Sequence, residues 1–246
     1  MQPTAREPVR PIAIHSVDPG RSVGWWSEAL NLFLRDALRW AALGVVLMVG
    51  FGLLDLLPLV GALVAALLSP VFLGGWMLVA RKVHGGGTLD AMGLFAGFRG
   101  THLWPLLTLG AWLAGATLLM ALMGHALGLG AFKGAVAIDA PADAAALVAL
   151  NHGMLALLLM LTFSLLVTAA LWFSPALVVL HGASPLKAVR ASLRAVLDNG
   201  LTFLLFGVVQ LLLAAVASLP YHIGWVVLLP LMLLTAYVSY GEVFEP

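Results

Sequence analysis

The sequence predicts an all-α fold, a polytopic transmembrane helix bundle with six spans. Of its 246 residues, 62% are hydrophobic and 9% are charged, against roughly 25% charged residues in a soluble domain. The stretch from Ala41 to Ala80 holds one charge, Asp55, and is long enough for two crossings of about 20 residues each. The same plan recurs three times along the chain: a short amphipathic helix and then a transmembrane hairpin.

Composition also excludes several kinds of chemistry. The chain has no cysteine, so disulfides, thiolate metal sites and cysteine nucleophiles are excluded. Its 12 basic residues are too few and too scattered for a nucleic-acid-binding face. No phosphate-binding glycine loop, G-x-S-x-G elbow or H-E-x-x-H pair occurs. We therefore expect no enzyme activity and no cofactor.

The first unit begins with a predicted amphipathic helix at about residues 25–39, suited to the headgroup boundary. Leu32 breaks its pattern. The predicted apolar face is Trp26, Leu30, Phe33, Leu34 and Ala37. Span 1 follows at about residues 40–57 and span 2 at about residues 60–83. They are separated at Leu57-Pro58, because proline disfavours helical geometry in the residue before it.

The second unit begins with a glycine-rich amphipathic stretch at about residues 89–99, for which Thr88 is the expected N-cap. Spans 3 and 4 are predicted at about residues 103–127 and 154–179. Between them lies an alanine-rich insertion. It is either a surface loop or a loop that includes one more short helix, at residues 142–150.

The third unit has the clearest helix boundaries. Ser184-Pro185 is a start signal and Asn199-Gly200 a stop signal, so a helix is predicted at residues 185–198. Its predicted apolar face is Leu186, Val189, Leu193, Val196 and Leu197. A basic stripe lies beside that face: Lys187, Arg190 and Arg194. Spans 5 and 6 follow at about residues 201–219 and 225–240.

Two of these units match in sequence as well as in plan. Ala29-x4-Leu34-Arg35-x2-Leu38 aligns with Ala188-x4-Leu193-Arg194-x2-Leu197, and a proline-broken hairpin follows each. We interpret the chain as three parallel repeats related by rotation about the membrane normal. The alternative is that any two leucine-rich hairpins look alike.

The basic residues predict the orientation. Eleven of the twelve fall on one side of the six predicted spans, and only Lys133 falls on the other. Cytoplasmic segments retain lysine and arginine, so both termini are expected in the cytoplasm. The membrane is expected to be the bacterial inner membrane. We expect residues 1–22 to be a disordered cytoplasmic tail before a single transmembrane domain, residues 23–246. The candidate contacts for lipid headgroups are Arg35, Arg39, Lys187, Arg190 and Arg194.

Several segments resemble an uncharacterised family of proteobacterial inner-membrane proteins. They are the Trp-rich first helix, Ser69-Pro70-Val71-Phe72 to Gly75, and Leu94-Phe95-Ala96-Gly97-Phe98. The resemblance covers nearly the whole chain after residue 16 and implies six spans, but no catalytic residues. The hairpin plan is also similar, more distantly, to the membrane domain of some bacterial glycerophosphodiesterases. That second likeness concerns the fold alone.

Few polar side chains are candidates for a site within the spans. Gln210 is the only strongly polar residue near the middle of one, and it either bonds to a neighbouring helix or contacts a substrate. At the outer side, three histidines and one carboxylate form a weak candidate for zinc or copper: His125, His152, His222 and Asp55. Helix kinks are predicted at Pro70, Pro175 and Pro230.

Three functions are consistent with these features. The first is a non-enzymatic accessory protein that assembles a membrane complex or organises lipid, with the phospholipid bilayer, a membrane protein or a second copy as partner. The second is a small transporter or exporter of an apolar or amphiphilic compound that moves on the kinked spans. The third is a metal site on the outer face.

Overall fold

The computed structural model describes residues 12–127, 144–219 and 221–245. In these residues the chain is all α, and no strand occurs. The α-helices are α1 (Arg21–Leu34), α2 (Ala37–Leu54), α3 (Val60–His84), α4 (Leu103–Ala126), α5 (Ala144–Leu171), α6 (Ser174–His181), α7 (Pro185–Asp198), α8 (Gly200–Ser218) and α9 (Trp225–Phe244). Two 3₁₀ helices connect α3 to α4: Ala91–Phe98 and Gly100–His102.

Six helical stretches are long and apolar enough to cross a membrane. They are Ala37–Leu54, Val60–His84, Gly100–Ala126, Asn151–His181, Gly200–Ser218 and Trp225–Phe244. The predicted fold class, a six-span helical bundle, is confirmed, and the chain is a multi-pass membrane protein. That the three units are copies of one another stays a prediction. Lys133 lies outside the described residues, as do the first two residues of the possible helix at 142–150, whose remainder forms the start of α5.

Spans α3 and α9 form the centre of the bundle. In the most apolar 18-residue stretch of each span, 44% of the residues are buried in α3 and 50% in α9, against 11–22% in the other four spans. α3 and α9 therefore pack against protein, whereas the other spans largely face lipid. α3 packs mainly on α4 and on the first 3₁₀ helix, while α9 packs on α1 and α2. Both run continuously through their prolines, Pro70 and Pro230. The largest buried side chains include Trp40 and Trp76, whose ring centroids are 4.9 Å apart.

Glycines set how closely α3 approaches its neighbours. A Cβ at Gly110 of α4 would lie 2.0 Å from the carbonyl oxygen of Leu67 in α3. A Cβ at Gly75 of α3 would lie 2.0 Å from the carbonyl oxygen of Leu94 in the 3₁₀ helix. Side chains other than hydrogen do not fit between these backbones. In a membrane no hydrophobic force drives helices together, so their association depends on van der Waals packing. Glycines strengthen that packing because they let two backbones approach closely.

Residues 12–18 form an extended strap across the bundle. The side chain of Asn199 pairs with the strap backbone, accepting a hydrogen bond from Val17 N (2.7 Å) and donating one to His15 O (3.2 Å). His15 N donates to Val243 O at the end of α9 (3.0 Å). Asn199 is therefore more than the helix stop that its sequence position predicts.

The strap differs from the expectation that residues 1–22 are disordered. Residues 1–11 lie outside the described part of the chain, but residues 12–22 are ordered, and the last two belong to α1. The reason is that Ile12, Ile14 and Val17 pack against the buried core, while the side chain of Asn199 satisfies backbone groups that water would otherwise bind.

Two short helices bury residues outside their predicted apolar faces, although α1 also buries Trp26 and Phe33 of its predicted face. In α1 the pattern-breaking Leu32 is buried and Leu34 is 62% exposed, because Trp25 and Arg21 turn towards Glu242 of α9. α1 also ends at Leu34, and α2 begins at Ala37, so the predicted helix at 25–39 is divided. In α7 the small residues are buried and the predicted apolar residues lie partly or largely exposed. The buried residues of α7 are Ala188, Ser192 and Ala195.

The second short segment is a 3₁₀ helix, not an α-helix, and its cap is not the predicted Thr88. The side chain of Asp90 accepts a hydrogen bond from Met92 N (3.0 Å). Glycines at positions 93 and 97 bring the segment against α3, where a Cβ on Gly97 would lie 2.1 Å from the carbonyl oxygen of Val71. This contact explains a glycine-rich sequence that is a poor α-helix former.

We predict that Gly110→Ala lowers the stability of the bundle by about 1–3 kcal/mol, because its Cβ would overlap the Leu67 carbonyl and force α3 and α4 apart. Thermal unfolding in detergent micelles measures the change. Gly115→Ala, on the same helix, is the control. Its Cβ meets no atom within 4 Å, so it should be neutral or stabilising by up to about 1 kcal/mol. Equal destabilisation by both variants would contradict the contact.

Candidate functional site

The fourth span is broken near the end of the bundle where α8 begins and α9 ends, since the ring of Phe173 contacts Phe203 of α8 and Phe244 of α9. α5 ends at Leu171 and α6 begins at Ser174, so Trp172 and Phe173 lie between two helices. Pro175 stands four residues after Leu171, and a proline ring clashes with the carbonyl group four residues before it. The kink predicted at Pro175 is therefore a complete interruption, placed just before the proline.

Ser192 of α7 satisfies the backbone at this break. Its hydroxyl accepts a hydrogen bond from Phe173 N (3.0 Å) and donates one to the carbonyl of Ala169 (2.7 Å). A backbone polar group that is buried away from water needs a hydrogen-bond partner. Ser192 is fully buried, so the short helix α7 supplies the partner that water would otherwise be.

A cleft of about 350 Å³ opens beside the break. α5 and α8 do not pack along each other, and the cleft occupies the space between them, with α9 behind it. Two lining residues, Leu165 and Leu211, are 61% and 71% exposed on the surface that faces lipid, so the cleft is open sideways to the bilayer. Its lining residues are Leu165, Thr168, Ala169, Trp172, Val196, Phe203, Phe206, Gly207, Gln210, Leu211, Ala214, Trp225 and Met232.

Two polar side chains on the cleft wall have no hydrogen-bond partner within the described part of the chain. Neither the amide of Gln210, halfway along α8, nor the hydroxyl of Thr168 makes a hydrogen bond with any residue that the structure describes. The indole N–H of Trp172 is also unpaired, but it is buried beneath the cleft surface, as are those of Trp26, Trp40 and Trp76 elsewhere in the bundle. By contrast, three threonines elsewhere in the spans each donate to the carbonyl four residues before: Thr108, Thr117 and Thr162.

Aromatic rings form the remainder of the wall. Trp172 meets Phe206 edge to face at a centroid distance of 5.5 Å, and Phe206 stacks on Trp26 of α1 at 5.5 Å. Trp225 donates its indole N–H to Ser218 Oγ (3.0 Å), which fixes its ring at the cleft. An apolar aromatic pocket with a few unpaired polar groups is the usual form of a small-molecule site.

The basic end of the bundle, defined by Arg21, Arg81 and the ends of α3 and α9, has its charges paired. Arg81 Nη2 donates to both carboxylate oxygens of Glu245 (2.5 and 2.7 Å). Arg21 binds Glu242 and Glu28 (both 2.6 Å), and these hydrogen bonds, the one to Glu242 first, raise the pKa of its guanidinium. These carboxylates are therefore structural partners of arginine, which connect α9 to α1 and α3.

The five predicted headgroup contacts divide into two groups. Arg35 donates to the carbonyls of Val83 and His84 and so caps the end of α3 (3.2 and 3.4 Å). Arg39 pairs with Asp36, and Arg194 with Asp198, in exposed ion pairs. Lys187 and Arg190 on α7 are exposed and have no partner in the described part of the chain. Of the five, these two are therefore the residues with unpaired charge.

The predicted metal ligands are not brought together. His125, His152, His222 and Asp55 are all exposed, near the ends of α4, α5 and α2 and in the α8–α9 turn. Among the described residues, no three histidine or carboxylate side chains lie close enough to hold one ion. The geometry therefore gives the metal hypothesis no support.

The structure adds site residues that sequence reasoning missed, above all Thr168, Trp172 and Ser192. Gln210 was predictable as the lone polar residue of its span. Ser192 had a usable signal, because it forms a small-residue stripe with Ala188 and Ala195 on one face of α7. Comparison with protein-family models, curated proteins and solved structures finds no match to this chain, so the sequence resemblance stays a prediction.

We predict that Ser192→Ala destabilises the protein by about 1–3 kcal/mol, because it leaves Phe173 N–H and the Ala169 carbonyl buried without a partner. Thermal unfolding and hydrogen exchange at the Phe173 amide measure the loss. The control is Ser27→Ala, since Ser27 bonds only an exposed carbonyl of its own helix. An unchanged exchange rate at Phe173 would contradict the assigned role of Ser192.

Proposed function

We propose that this chain is a non-enzymatic accessory protein of the bacterial inner membrane that binds an amphiphilic molecule taken sideways from the bilayer. The observation that carries the proposal is the cleft between α5 and α8, open to lipid and lined by unpaired polar groups. A polar group facing hydrocarbon without a partner is unfavourable, so a ligand that pairs with Gln210 would be held there.

The helix α7 supports binding of a headgroup at the same place. It contributes Val196 to the cleft and carries Lys187 and Arg190 on its exposed side. Each basic residue near an anionic membrane surface contributes about 1 kcal/mol. An amphiphile with its apolar part in the cleft and an anionic headgroup against α7 fits both features.

Transport of the same kind of molecule is a second candidate, and the presence of Gln210, halfway along α8, in the cleft lining favours it. Substrate sites of many transporters lie near the bilayer midplane. Movement of a labelled phospholipid between the leaflets of proteoliposomes would separate transport from binding alone. We rank binding first, because the cleft opens to the side and is mostly apolar.

We also propose that the basic end, with α1 and α7, faces the cytoplasm, and that these helices lie at the headgroup layer. The support is the distribution of lysine and arginine. Because the chain has no cysteine, a single introduced thiol reports its own side of the membrane.

We predict that Arg190→Cys reacts with a membrane-impermeant maleimide only after the cells are permeabilised, whereas Tyr221→Cys reacts in intact cells. Tyr221, in the α8–α9 turn at the opposite end, is 95% exposed. Labelling yield on a gel is the measurement. Cysteine-free wild type is the background control, and labelling of position 190 in intact cells would reverse the orientation.

We predict that Gly207→Leu abolishes retention of the bound amphiphile, because its side chain enters the cleft. A Cβ at Gly207 meets no atom within 4 Å, so the substitution fills space and leaves the packing intact. Mass spectrometry of lipids that co-purify with the protein is the measurement. Gly50→Leu is the control, since Gly50 is equally open but lies on α2, away from the cleft. Equal lipid content in both variants would end the proposal.

A further inference from the structure

We infer that the ligand of the cleft carries a flat ring with carbonyl oxygens, as a membrane-soluble quinone does. This inference rests on the proposed function and gives it a chemical class. It follows from two features of the same wall: the aromatic residues and the unpaired hydrogen-bond donors.

The aromatic residues favour a ring over a plain acyl chain. Trp172, Phe203, Phe206 and Trp225 all line a cleft of about 350 Å³. Aromatic faces and edges attract another ring in offset or edge-to-face contact, beyond the area that is buried. An acyl chain gains only dispersion from such a wall and would be held as well by leucine.

The polar groups favour acceptor oxygens on that ring. The Gln210 amide and the Thr168 hydroxyl, on α8 and α5, each have an N–H or O–H to donate. A quinone has two carbonyl oxygens on opposite edges of a flat ring and no donor of its own. It therefore accepts from two sides of the cleft, while its apolar tail leaves through the lateral opening at Leu165 and Leu211.

Decylubiquinone in nanodiscs of dioleoylphosphatidylcholine is the test probe, with bound molecules counted by native mass spectrometry as the quinone fraction increases. We expect one saturable quinone per wild-type protein. Gln210→Leu and Thr168→Val should each weaken apparent affinity about fivefold, the effect of one lost hydrogen bond. Leu212→Ala is the matched control, because Leu212 is 62% exposed on the same helix but does not line the cleft.

A second probe, decylbenzene, has the ring and tail but no carbonyl oxygen. It should bind more weakly than decylubiquinone and should not respond to Gln210→Leu. If the two probes bind equally, or if quinone affinity is unchanged in both Gln210→Leu and Thr168→Val, the carbonyl assignment is overturned.

The retained lipid distinguishes this failure from failure of the proposed function. Suppose that no quinone binds, while phospholipid is still lost in Gly207→Leu but not in Gly50→Leu. That result would overturn the inference of a quinone-like ligand and leave the cleft as a lipid site. Absence of both quinone and retained phospholipid in the wild type would overturn the inference and the proposed function together.

Discussion

The structure depends on one constraint: a backbone polar group that is buried away from water needs a partner from the protein. Unbroken helices meet it by themselves, but the fourth span does not, because Pro175 interrupts it at Trp172 and Phe173. Ser192 closes the gap from a helix outside the six spans. The position of α7 therefore follows from the break in the fourth span, and the cleft lies beside that break.

The bundle divides its spans by their surroundings. α3 and α9 have glycine contacts, ion pairs and buried aromatic rings, whereas α5 and α8 expose leucines on most of their surface. In a bilayer such exposure is not unfavourable, since lipid is as apolar as leucine. α5 and α8, two of the spans with few buried residues, border the cleft on either side, which leaves room for a ligand between them.

Hydrophobicity and length were sufficient to predict the six spans, because the bilayer imposes about 20 apolar residues per crossing. Gln210 could be singled out for the same reason. The buried faces of α1 and α7 could be predicted only in part, because periodicity reports apolar residues and does not distinguish a lipid neighbour from a protein neighbour. Trp25 turns inwards for a carboxylate on a helix more than 200 residues later, and Ser192 for a break in another span. Such long-range polar partners leave no local pattern.

The strap gives the order of assembly a physical meaning. Its hydrogen bonds join His15 and Val17 to Asn199 and Val243, and α1 is attached to Glu242. The strap is thus synthesised long before the hairpin of α8 and α9 that holds its partners. These contacts can form only after that hairpin is inserted, and until then α1 and the strap are open to chaperones and proteases of the membrane.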